Sequence, residues 1–196
     1  MDILDRLLLH DADTTRSLLL LCRDLNDEQL DCYFDLGQQT LRETFSHMIS
    51  NMEAWTDLLY ERPQTLPQGS SVDQRSISGM LERLDRVAPQ FAAIARKLQA
   101  EGRLDDSYED YLDQPATRKS FGGTIVHLTS HSMSHRAEVL HLMGRLGVAD
   151  LPEGDALSWE AGYLAQQEAL AQASGGGAGS APPAPSLPPL LPNAAR

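Results

Sequence analysis

The positions Phe121, Ile125, Leu128, Ser132, His135, Val139, Leu142 and Leu146 recur at intervals of 4,3,4,3,4,3,4. That spacing commits about seven turns of chain to a helix with a single buried stripe. Three more segments carry the same signature, and none shows the period-two alternation of a half-buried strand. A first helix is predicted over 3–25, with Leu4, Leu7, Leu8, Leu18, Leu21 and Leu25 inward, and Asp11, Asp13, Thr14 and Thr15 suggest that its middle faces something polar. The second opens with Thr40-Leu-Arg-Glu43, read as a reciprocal capping box, and continues through Leu41, Phe45, Met48, Met52, Trp55 and Leu59. A flanking stripe of Thr44, His47, Asn51, Ala54 and Leu58 gives this helix two neighbours. In the third, Ile77, Met80, Leu84, Val87, Phe91, Ile94 and Leu98 lead to Gly102 as the stop, with a kink expected at Pro89. The fourth runs over 121–146, between Ser120 as N-cap and Gly147.

The fold class is therefore all-α: a four-helix bundle over 1–173 with long inter-helix connections, 61–75 and 103–119, and a short further helix over 158–173. The connections exceed the 2–8 residues usual between bundle neighbours and are long enough to carry a crossover, so simple up-down order is not assumed. Residues 174–196 are rich in Gly, Ala and Pro, which predicts a disordered tail with Leu187, Leu190 and Leu191 as its exposed apolar residues.

A formal net charge of -12 repels phosphate backbones, and no basic stripe is present, so nucleic acid is not an expected partner. The opening Met-Asp-Ile-Leu-Asp has no positive n-region, and no apolar run approaches the ~20 residues of a spanning helix. The expectation is a cytoplasmic protein without membrane contact. Cys22 and Cys32 form neither a disulfide framework nor a Cys-x-x-Cys pair, and Cys22 reads as a small core residue.

His135 sits at the centre of the fourth helix's buried stripe. At ~100° per residue His131 lies roughly 40° to one side, His127 roughly 80° and His141 roughly 120°. Imidazoles at i and i+4 on an inward face chelate one ion readily, whereas His127 and His135, a rise of roughly 12 Å apart, cannot share one. The favoured pair is His131 with His135; two core imidazoles hydrogen-bonded to carbonyls or water are the bland alternative. His47 is the candidate third ligand, with Asn51 one turn on as its outer partner, and His10 competes for that role. Glu138 reads best as the ion-pair partner of an arginine on another helix, with fourth ligand or general base as the other options.

The segments Leu-Arg-Glu-Thr-Phe-Ser-His-Met-Ile-Ser-Asn-Met-Glu-Ala-Trp and His-Ser-Met-Ser-His-Arg-Ala-Glu-Val-Leu make the chain, over roughly 2–160, resemble the DinB/YfiT-like family of four-helix metalloenzymes. The second segment is similar to the family's His-x-x-x-His-Arg-Gly-Gln signature, departing at Ala137 and Glu138. The resemblance implies a metal triad of His47, His131 and His135, pairing into a homodimer, and a thiol-dependent transferase or isomerase with a low-molecular-weight thiol as cosubstrate. Glu138 is then a weak catalytic candidate. Imidazole donors favour zinc or nickel among divalent cations. A thiol or water activated there would attack an electrophilic small molecule. The rival expectation is a non-catalytic metal-binding helical module that acts through another protein.

Overall fold

The computed structural model describes residues 1–63, 73–110 and 115–174. It is mostly helical, with one small two-stranded sheet. Helix α1 spans Ile3–Leu21, capped by the Asp2 carboxylate, which accepts from the Asp5 amide at 2.8 Å. It stops four residues short of the expected Leu25. Asn26 and Gln29 there form a reciprocal capping box that starts a separate helix α2, Asp27–Leu30. Leu8 and Leu18 are buried as expected, but Leu7 is 36% exposed.

Helix α3, Leu41–Leu59, begins where Thr40 Oγ1 accepts from the Glu43 amide. The box expected here is only half made, because the Glu43 carboxylate pairs with Arg75 and the Thr40 amide donates to the Gln38 carbonyl. Helix α4, Ile77–Ala100, continues through Pro89 to the positive-φ Gly102. Helix α5, Phe121–Arg145, starts with Ser120 Oγ accepting from the Gly123 amide and ends before Gly147 at φ +78°. Helix α6, Ala156–Ser174, is longer than the sequence suggests.

The connection 103–119 was expected to lack strands. Instead β1, Ser107–Asp110, pairs antiparallel with β2, Thr117–Ser120. Glu109 faces Arg118 across the pair, and opposed charges support so short a ribbon. The Phe121 and Gly122 amides donate to the Asp106 and Leu104 carbonyls, so the hairpin is tied to the first turn of α5.

In the unit Met1–Trp159, α1 packs on α4 and α5, and α3 packs on the same two. Helices α3 and α4, on either side of 61–75, pack directly, whereas α4 and α5, joined by 103–119, are not principal packing partners, and neither are α1 and α3. The core between the helices contains Leu18, Phe45, Met80, Phe91, Leu128 and Leu142, all buried. The unit Glu160–Arg196 holds the rest of α6, and the tail expected over 174–196 lies, from 175 onward, outside the described residues. No described helix is long and apolar enough to cross a membrane.

One polar contact crosses this core. Arg136 of α5 donates from Nη1 to the Asp11 carboxylate of α1, and both side chains are 3% exposed. Thr15 Oγ1 donates to the Asp11 carbonyl at 2.7 Å. The polar middle of α1 therefore has a partner, and that partner follows His135 directly in the chain.

Candidate metal centre

Helices α3 and α5 bring three imidazoles together. His131 Nε2 lies 3.3 Å from His47 Nε2 and 3.2 Å from His135 Nε2. One ring nitrogen from each of the three falls within 4.8 Å of the others. Donors at ~2.1 Å from a common ion in tetrahedral array stand about 3.4 Å apart, so the observed spacings fit. His135 lies in the buried stripe of α5 and His131 beside it, as the helical phase requires; the flanking stripe of α3 carries His47 across to them.

The protons on these rings follow from their neighbours. His135 Nδ1 donates to Glu138 Oε2 at 2.7 Å, which leaves the His135 Nε2 lone pair directed at the cluster. The Asn51 Nδ2 group lies 3.2 Å from His47 Nε2 and 3.4 Å from His131 Nε2, so it donates toward lone pairs on both. Burial, and then the neighbouring His135, holds His47 below the usual imidazole range. Burial, followed by His135, His47 and His127, pushes His131 down to about 4. His47 and His131 are therefore held in the neutral form that ligates a cation, and Asn51 would have to yield their Nε2 lone pairs to an ion.

These shifts set a pH dependence for the metal-free protein. Between pH 6.5 and about 4 an unfolded chain binds a proton at residue 131 that the folded chain refuses, so stability rises with pH across that window. The contribution is complete above 6.5 and declines as pH falls toward 4. Chelator-treated protein should lose melting temperature on going from pH 7.5 to 5, and His131→Asn should flatten that decline.

Glu138 corrects the sequence reading, since its partner is His135 on its own helix and not an arginine elsewhere. The signal was available, because residues three apart on a helix face one another. The buried arginines are paired elsewhere, Arg136 with Asp11 and Arg83 with Glu53, between positions that no spacing rule connects. His10 is not part of the cluster; it is buried with its ring 5.5 Å from that of Trp159, whose Nε1 donates to Asp13. His127 is exposed, its ring tilted against that of His131 with centroids 5.4 Å apart. Cys22 is fully buried, with its thiol pushed up to about 12, as befits a core residue.

A family model described as the DinB superfamily matches residues 11–139. The chain belongs to the DinB superfamily. The matched span contains His47, Asn51, His131, His135 and Glu138, so this DinB chain carries its histidine cluster within the region that defines its membership. No curated protein matches the chain.

One residue outside the cluster lies directly against Glu138 in this DinB site. Gly37, at φ +50°, abuts Glu138 so closely that a Cβ added there would overlap the carboxylate at Oε2 and Cδ. Gly37→Ala should push Glu138 off His135 Nδ1 and weaken metal binding by about 10–100-fold, the effect of losing an outer partner. Competition against a chelating dye, with Glu138→Ala in parallel, measures it. A lowered melting temperature with unchanged affinity would show that Gly37 serves the backbone alone.

Proposed function

We propose that His47, His131 and His135 hold a divalent cation, zinc or nickel, in a four-helix bundle, and that the protein is a metal-dependent enzyme of the thiol-transferase type. The observation that carries the reading is the approach of three Nε2 atoms, with the His135 ring turned to the cluster by Glu138. Three neutral donors leave an ion its full charge, and such an ion supplies the acidity that ionises a thiol, or water, near neutral pH.

The protein's own groups do the rest. Glu138 holds the His135 ring in one tautomer, and Asn51 offers its amide to the other two rings. His127, beside His131 on the exposed side of α5, stands where a substrate would approach. In the transfer the thiol proton passes to solvent, a sulfur–carbon bond forms, and the electron pair of the broken bond leaves with the displaced group.

The test is turnover of a model electrophile by metal-loaded protein with and without a low-molecular-weight thiol. The proposal expects product only when metal and thiol are both present. Turnover without thiol assigns water as the nucleophile. If metal raises the melting temperature while a panel of thiols and electrophiles gives no product, the cluster belongs to a non-catalytic module.

A further inference from the structure

A cavity of about 300 Å³ opens at the N-terminal end of α5, lined by Trp55, Lys119, Ser120, Gly123, Thr124 and His127. It follows the seam of α3 and α5 that carries the histidine cluster. Trp55 lies one helical turn beyond Asn51, and His127 one turn before His131, a rise of about 6 Å in each case. The His127 ring stands between the two sites, 5.4 Å from His131 and 6.0 Å from Trp55 by ring centroids. The volume lies at the lower end of the range for small-molecule pockets and admits one compact ligand.

The lining has a definite chemistry. Lys119 brings its ammonium to 4.9 Å from the Trp55 ring centre, and among the described residues no carboxylate lines the cavity. Lys119 is placed by the hairpin. Its pairing with Asp110, which is fully buried, fixes the ammonium at the cavity wall while the carboxylate stays out of the lining. Gly123 presents no side chain and its amide is taken by Ser120 Oγ, and the Thr124 hydroxyl is bonded to Tyr108, so the unengaged described lining is an indole and an imidazole.

We propose that this cavity binds the organic acceptor as a small planar aromatic carboxylate, its anion toward Lys119 and its ring against Trp55. This rests on the reading of the neighbouring cluster as a reaction centre, but the binding itself needs no metal. The His127 side of the cavity then orients the far end of the ligand toward His131. Selectivity follows from Lys119, whose ammonium keeps its pairing with Asp110 and donates a further proton to the ligand: a carboxylate gains a charge-assisted contact that an isosteric amide lacks.

The probe is benzoate, with benzamide as its neutral match, titrated into the full chain and followed by the Trp55 emission in a Trp159→Phe background. Benzoate should bind at least tenfold more tightly than benzamide, lose that preference at high salt, and bind equally in His131→Ala protein without metal. Trp55→Leu, read by calorimetry, should weaken it about tenfold while leaving the Lys119–Asp110 pair intact, and Lys119→Arg should retain it. Equal binding of benzoate and benzamide, or benzoate binding that vanishes in His131→Ala, would overturn the proposal, the latter by placing the carboxylate at the cluster. Selective benzoate binding in a protein that takes up no metal would support the cavity and refute the reading of the cluster.

Discussion

His131→Ala should abolish stoichiometric metal uptake. Residue 131 is the hinge of the cluster, since its Nε2 is the atom that both of the other rings approach, at 3.3 Å for His47 and 3.2 Å for His135. Its removal leaves two donors, His47 and His135, on different helices with ring centroids 4.9 Å apart. The affinity loss should exceed the ~100-fold that follows loss of an outer partner alone. Because His131 is half-buried at the edge of the packed stripe and Leu128 and Leu142 carry the core, the variant should remain folded. Dialysis followed by elemental analysis, alongside circular dichroism, separates the outcomes. A folded variant that keeps one equivalent of tightly bound metal would place the ion elsewhere.

Asp11→Ala should cost the fold about 3–5 kcal/mol, because it leaves the Arg136 guanidinium buried without its counter-charge. For a chain of this size that corresponds to a melting temperature lower by roughly 10 °C. Among the described residues Arg136 reaches Asp11 and the Thr15 hydroxyl on α1, and its Nε has no hydrogen-bond partner there. Replacing both partners, Asp11→Leu with Arg136→Met, should recover most of the loss, since the pair gives up two desolvated charges at once. Guanidinium unfolding curves of the three variants decide the matter. A single variant as stable as the parent would mean that water reaches the guanidinium. The effect on the histidine cluster should be a second readout, because Arg136 is adjacent to His135 on the helix that the pair anchors to α1.

The packing helices were legible because apolar spacing is a local property. The stripe through Leu128, His135 and Leu142 is buried as its phase demands, and the same phase put His131 beside His135. Joining His47 to them took the second stripe of α3, which only a helix with two neighbours has a use for. The break between α1 and α2 has a local signature too, since Asn26-x-x-Gln29 is a capping box that starts a new helix. The hairpin was missed for a physical reason: four-residue strands are too short to show alternation, and the only clue was acidic Glu109 and Asp110 against basic Arg118 and Lys119. Asp11 and Arg136 stand 125 positions apart, and no spacing rule connects them. The role of Gly37 is equally long-range, visible only when the Glu138 carboxylate is seen lying against it.

The central claim is that three imidazole nitrogens from two helices converge on one cation. X-ray absorption at the metal edge of protein purified without a histidine tag tests it most directly. The account predicts one metal per chain, with a first shell containing three nitrogen scatterers at about 2.0–2.1 Å, including the multiple-scattering signature of imidazole. A first shell of sulfur at about 2.3 Å, or of carboxylate and water oxygens without imidazole, would contradict it.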